Sequence, residues 1–280
     1  TLLRGFELQK PTWSRFCKTG TLSDFRPHIR YRGGSVGDLQ VRGENGEYKS
    51  LTLGDAERET ITAQSRGGIL NLSREMLVND DMSVFTDVAV MLGASSARTL
   101  DKAVFALLAL NSGNGPTMGD NNPLFHAAHG NIAATAAAPS VASVEAVRVQ
   151  MASQKEPGGN DYIDLRPSLW LGPLSLGGQA RVVNNSTYDP DATNKLQRPN
   201  IVANLYSDII DTPRLSGTGW YSLCDPNIEP VFEVGFLDGV STPQIEQKEA
   251  WSQAGMSWRV LYEFGTAAIG WRGINKNAGA

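Results

Sequence analysis

Apolar positions recur at three- and four-residue steps from about Asp81 to Leu110, through Phe85, Val88, Leu92, Ser96, Leu100, Val104, Leu107 and Leu108. That spacing predicts one long amphipathic helix, with Asp80, Asp81 or Ser83 available to cap it and to complement its dipole. Some 28 residues at 1.5 Å each make a rod of about 42 Å. Gly93 and the small residues Ala94–Ala97 lie mid-helix, where another backbone can approach closely. A shorter helical run, Leu72–Asp81, precedes the rod. A glycine-rich stop, Ser112–Gly113–Asn114–Gly115–Pro116, follows it.

The period changes on either side. Residues 39–70 read as an extended hairpin: Gln40–Arg42 and Tyr48–Leu53 flank Glu44–Asn45–Gly46–Glu47, whose Asn-Gly suits a tight turn, and Glu59–Gln64 alternates as a strand does. Few of its positions are large and apolar, so the hairpin buries little within its own chain, and isolated two-stranded hairpins are marginal in water. Residues 1–38 hold no sustained period and read as an arm that a neighbouring surface would order, with a short helix at Trp13 and Phe16. Downstream, residues 131–228 read as α/β: helices at Ser140–Gln154 and Leu174–Asn184, a buried strand at Ser168–Gly172, a polar loop at Asn184–Asn200, and strands at Ser207–Leu215 and Gly219–Leu223. Residues 229–275 are β-rich, with strands at Pro230–Leu237, Gln244–Trp251 and Met256–Ile269. The fold class is α+β.

Composition narrows the function. Hydrophobic residues make up 41% and charged residues 19% of the 280, light on charge for a freely soluble monomer and in keeping with surface covered by partners. A net charge of −4 without a Lys/Arg run excludes tight binding to nucleic-acid phosphates. Two distant cysteines, Cys17 and Cys224, supply no disulfide framework and fit a reducing compartment. No apolar run reaches the ~18 residues of a membrane span, and no signal peptide is expected. Thr1 fits either Met removal or proteolytic maturation.

No candidate chemistry survives its alternatives. His126 and His129 are the one close histidine pair, but a zinc site needs further ligands, and His28, Cys17 and Cys224 are unpartnered in sequence. Gly113, Gly115 and Gly119 follow a helix rather than a strand and carry Pro116 among them, so they stop a helix rather than bind a dinucleotide. Ser175, in Gly172–Pro173–Leu174–Ser175–Leu176–Gly177, misses nucleophile-elbow spacing. Asp189 to Asn194 lacks the turn glycine and closing glutamate of a calcium loop, and Asp80–Asp81 reads as a cap. No catalytic, cofactor-binding or metal residue is assigned, and no enzyme is expected.

The order of segments is more specific than any single one. Arm, hairpin, Leu72–Ser73–Arg74–Glu75–Met76–Leu77–Val78–Asn79–Asp80–Asp81, long helix, glycine break and Pro123–Leu124–Phe125–His126–Ala127–Ala128–His129–Gly130–Asn131 resemble tailed-phage major capsid proteins of the HK97 fold. Tyr262–Gly273 looks like the C-terminal strands of the branch related to the phage Mu major head subunit. The resemblance implies an N-terminal arm at 1–38, an E-loop at 39–70, a P-domain at 71–130 (spine helix) and 229–280 (β-strands), and an A-domain at 131–228, with Asn184–Asn200 toward the capsomer centre. It implies a head protein forming hexamers and pentamers of an icosahedral shell around packaged double-stranded DNA, assembled in the host bacterial cytoplasm and found in the virion. Implied partners are the protein itself, a portal, a scaffold or maturation protease and a decoration protein, with no membrane. An encapsulin-like nanocompartment shell is the alternative, and a hydrolase using Ser175 or His126 and His129 a distant third. Some shells of the family are locked by Lys–Asn isopeptide bonds. Lys49 with Asn275 or Asn277 would be the positions here, although the local residues do not match the crosslinking pattern and no catalytic Glu can be assigned. Deleting residues 43–66 is expected to spare folding and abolish shells.

Overall fold

A computed structural model describes residues 2–9, 11–34, 36, 38–39, 41–42, 46, 48, 50–51, 56–79, 88–159, 161–190, 198–249 and 255–280. The chain divides into two compact units, each assembled from separated stretches.

The first unit comprises Thr1–His28, Ile61–Ala109 and Phe232–Ala267. It opens with α1 (Leu2–Leu8), a 3-10 turn at Trp13–Arg15 and β1 (Cys17–Leu22). Its sheet runs β1, β8 (Phe232–Leu237), β10 (Gly255–Ala268), β4 (Gln64–Ser73), with β9 (Gln244–Glu249) also on β10. β1 lies parallel to β8, and β10 antiparallel to both β4 and β9. α2 (Arg74–Val78) follows β4 directly, and the long helix is α3 (Val88–Gly113). The predicted helical run at Leu72 therefore starts two residues late, because Leu72 and Ser73 still pair with β10.

α3 buries Val88, Ser96, Leu100, Val104 and Leu108 as the periodicity requires, while Asp80 to Asp87 lie outside the described residues. Helical backbone ends at Ala109: Leu110 is extended, and Asn111 and Ser112 have φ of 50° and 58°. The stop thus begins ahead of its glycines, of which Gly113 and Gly115 continue at positive φ.

One expectation is corrected here and another is made specific. The N-terminal segment is not an arm short of core: Trp13, Phe16, Cys17 and Leu22 are buried, with Phe16 against Phe105 and Phe232 at ring-centroid distances of 5.7 and 6.1 Å. Parallel pairing to β8 supplies what local periodicity could not announce. The close approach expected at Gly93 is made by the chain's own α1, since a Cβ there would collide with the carbonyl of Leu2, and one at Gly5 would collide with Val90.

The second unit comprises Ile29–Thr60, Leu110–Val231 and Ala268–Ala280. Its sheet is ordered β11 (Ile274–Asn277), β7 (Trp220–Leu223), β5 (Leu169–Pro173), β6 (Asp208–Thr212), antiparallel except for β5 with β6. α4 (Val141–Ala152) begins in a capping box in which Ser140 and Ser143 bond each other's backbone N–H. α5 (Leu174–Asn185) follows β5 without a loop. Val144, Val147 and Met151 of α4 pack with Trp170, Trp220, Ala180 and Val183 into the core. The polar loop after α5 is closed at its base by a bridge between Tyr188 and Pro199.

The hairpin is real but displaced. Its strands are β2 (His28–Arg32) and β3 (Glu57–Ile61), a two-stranded ribbon. The expected strands at 40–42 and 48–53 are not strands at any described position. The expected strand Glu59–Gln64 is broken at Thr62 and Ala63, beyond which β4 belongs to the five-stranded sheet.

Candidate assembly surface

In β2 every second side chain is exposed and the rest are only half-buried, and β3 repeats the pattern up to Ile61. Between them Leu39, Val41 and Tyr48 stand 86%, 98% and 83% exposed. Among the described residues here, Arg42 donates from Nε to the Gly46 carbonyl at 2.8 Å, and its guanidinium lies 4.8 Å from the Tyr48 ring centroid. Exposed apolar side chains on a ribbon of this kind suit contact with another surface. Asn45 and Lys49 lie outside the described residues.

The base of the ribbon is pinned by charge. Glu57 of β3 receives both terminal nitrogens of Arg272, at 2.5 and 2.7 Å. Arg272 also donates from Nε to the Lys155 carbonyl at 2.7 Å and stacks 4.0 Å over Trp271. Glu59, two residues on and on the same side of β3, accepts the Gly119 N–H at 2.8 Å. Arg32 of β2 pairs with Glu229. Burial pushes the Glu229 carboxyl up against the pull of Arg32, and lowers Arg32 itself. Burial, with the charges of Asp120 and Glu57, raises Glu59 despite its bond from Gly119.

The same cluster absorbs the histidines. His129 is buried, its Nε2 2.7 Å from Asp120, its Nδ1 3.0 Å from the Leu124 carbonyl, and its ring stacked 4.4 Å from Trp271. Burial alone would raise the Asp120 carboxyl, but bonds from His129 and Asn122 outweigh it and hold it below its usual range. His126 accepts the Ala128 N–H at Nδ1 and caps a 3-10 turn, and His28 reaches Asp24.

The other sequence candidates are scattered. Cys17 and Cys224 are buried thiols; burial pushes Cys224 up to about 12 and raises Cys17 well above its usual value, with Asp101 adding to it. Ser175 is exposed on the first turn of α5, while the three histidines bond elsewhere. Asp189 pairs by its backbone with Arg198, and 191–197 lie outside the described residues. Asn275 and Asn277 are buried; Asn275 donates from Nδ2 to Gln150 while its Oδ1 has no partner among the described residues, and Asn277 donates to the Thr135 carbonyl and accepts the Ala137 N–H. Sequence reasoning missed Arg32, Glu57, Glu59, Glu229 and Arg272. Only Arg272 lay in a motif, and nothing there named its partner.

The profile of a family described as phage capsid protein matches residues 57–277. No curated protein matches significantly. Among solved structures, the chain is similar to one from Mycobacterium phage Adephagia, at 14% identity and TM-score 0.62, covering 97% of this chain and 91% of that one. It is also similar to the capsid structure of Cyanophage P-SCSP1u, at 11% identity and TM-score 0.62, covering 97% and 89%. The acid-stable capsid of Helicobacter pylori bacteriophage KHP30 matches at 10% and 0.59, covering 96% and 90%. At such identities the likeness is one of fold.

Proposed function

The chain belongs to the phage capsid protein family, and from that membership we propose that it builds hexamers and pentamers of an icosahedral head that encloses double-stranded DNA. It is a major capsid protein of HK97-like fold, structural rather than enzymatic, and its place is the virion shell. The nanocompartment and hydrolase readings are not favoured.

The observation that carries the subunit-to-subunit role is the ribbon: fixed at its base by ion pairs and bare at its tip. It precedes the family match except for β3, so its role rests on geometry. In family terms, residues 1–38 are the N-terminal arm, 39–70 the E-loop, 71–130 and 229–280 the P-domain, and 131–228 the A-domain. The paired strands at its base move those sequence-based bounds to His28–Ile61 for the E-loop, so that the N-terminal segment ends before His28 and β4 passes to the P-domain. The branch related to the Mu head subunit is favoured by the Tyr262–Gly273 motif. Portal, scaffold or maturation protease and decoration protein are the proposed partners, and host cytoplasm the place of assembly. A mildly acidic subunit suits DNA that is pumped in, because strong attraction would resist packaging.

Deletion of 43–66 would remove Glu57, Glu59 and the start of β4, so the cleaner test removes 36–54 and bridges the gap with Gly-Ser. Electron microscopy is expected to show shells for the full chain and none for the deletion, whose circular dichroism stays native. Global unfolding of the deletion, or shells from it, would refute the assignment of the grip to the ribbon.

A further inference from the structure

β4 is an open edge. It runs ten residues, pairs only with β10 among the described residues, and every second residue turns its N–H and C=O away from that partner. Natural edges are blunted by proline, lysine, bulges or brevity. β4 has neither proline nor lysine, and its one charge, Arg66, is folded back over Phe264 at 4.8 Å and bonded to Gln64. An unguarded edge of this length is covered in the working assembly.

The side chains specify by what. Leu72 is buried, and Gly68 stands opposite buried Val260 on that same face. A Cβ at Gly68 would meet nothing within 4 Å, and beside it a cavity of about 200 Å³ opens toward Leu92, Ser95 and Thr99 of α3. Leu70, two residues along on that face, is 37% exposed, and Ile69 on the other face is 66% exposed. One strand therefore carries both an empty notch, walled by Leu92, Val260 and Tyr262 and rimmed by Arg66, Ser95, Ser96 and Thr99, and the large side chains to fill it.

We propose that β4 pairs antiparallel with β4 of a second copy about a two-fold axis through Ile69. A two-fold axis normal to the sheet keeps faces matched, so residues directly opposite must lie on the same face. With Ile69 opposite its copy, Leu70 of each strand falls opposite Gly68 of the other and enters the notch from both sides. Arg66 then faces Leu72, and no like charges meet. The joint makes two five-stranded sheets continuous. A single strand pair falls well short of the ~800 Å² per partner of a standard interface, so it is weak alone and suits a contact repeated across a shell. The inference rests on the shell-forming reading but concerns a different surface from the ribbon.

Particles carrying Ile69→Cys or Asn71→Cys are first imaged, so that loss of assembly is scored separately from loss of this contact. After mild oxidation, Ile69→Cys is expected to give a reducible dimer on denaturing gels. Asn71→Cys, which stands opposite Gly67, is expected to stay monomeric. Equal crosslinking of the two, a ladder beyond dimer, or no Ile69→Cys dimer in intact particles overturns the proposal. So does a crosslink between mixed Ile69→Cys and Leu39→Cys subunits, which would assign the edge to a neighbour's ribbon. If Ile69→Cys forms no particles, sedimentation of unassembled subunits decides. The unaltered chain is expected to dimerise at high concentration and Ile69→Lys to remain monomeric, and identical behaviour refutes the pairing.

Discussion

Replacing Glu57 by Ala isolates the ion pair that holds the ribbon base. The guanidinium of Arg272 is almost fully enclosed, its side chain 5% exposed, whereas Glu57 is 38% exposed. The asymmetry decides the cost: the truncation strands a buried cation rather than a solvated anion. Removing one partner of a buried pair costs about 3–5 kcal/mol. Solvent reaches the Glu57 side, and Arg272 keeps the Lys155 carbonyl and the Trp271 ring, so the expected loss is about 1–3 kcal/mol. A chain of this size should lose roughly 2 °C in Tm per kcal/mol. Urea unfolding of unassembled subunits measures it, with Glu246→Ala as the control. Glu246 pairs with Arg259 at 2.5 Å, but both side chains are more than half exposed, and its loss should stay within about 0.5 kcal/mol. If the two variants unfold at the same urea concentration, burial does not set the strength of the ribbon's anchor and the reasoning fails.

Gly93→Ala should displace α1, lowering stability by about 1–3 kcal/mol and loosening the helical backbone at the already exposed Arg4 so that trypsin cuts there faster, because its Cβ would strike the Leu2 carbonyl; unchanged cleavage and stability would refute the close approach. Glu59→Gln should raise stability at neutral pH while keeping the acceptor for Gly119 N–H. The folded state raises the Glu59 pKa, so its ionised form costs stability; the cost is absent below the ordinary glutamate range and complete above the folded value. The gain from Gln should therefore vanish as pH falls, and a pH-independent difference between urea titrations at pH 4 and pH 7 would contradict it.

Local period made α3, α4, α5 and β5 legible, because in each the buried face is written by neighbours in sequence. The missing core of the hairpin was legible too, although its strands were placed inward of the real ones, close to the Asn-Gly turn instead of at the paired base His28–Arg32 and Glu57–Ile61. What local period cannot carry is pairing across distance. β1 looked like an aperiodic arm because β8, its partner, lies more than two hundred residues away. Asp101 sits on the buried side of α3 as an apparent break in the apolar stripe, yet it accepts the backbone N–H groups of Thr12 and Trp13. Glu57 and Arg272 are separated by 215 residues, and each alone reads as an ordinary surface charge.

The parallel pairing of β1 with β8 also sets an order of events during translation. β1 is made first, but its partner strand does not exist until Leu237 has been added, and the whole of Leu110–Val231 is synthesised in between. Contacts of such sequence separation form late and slowly. The second unit's central strands and helices can fold on the ribosome while the first unit still lacks its sheet.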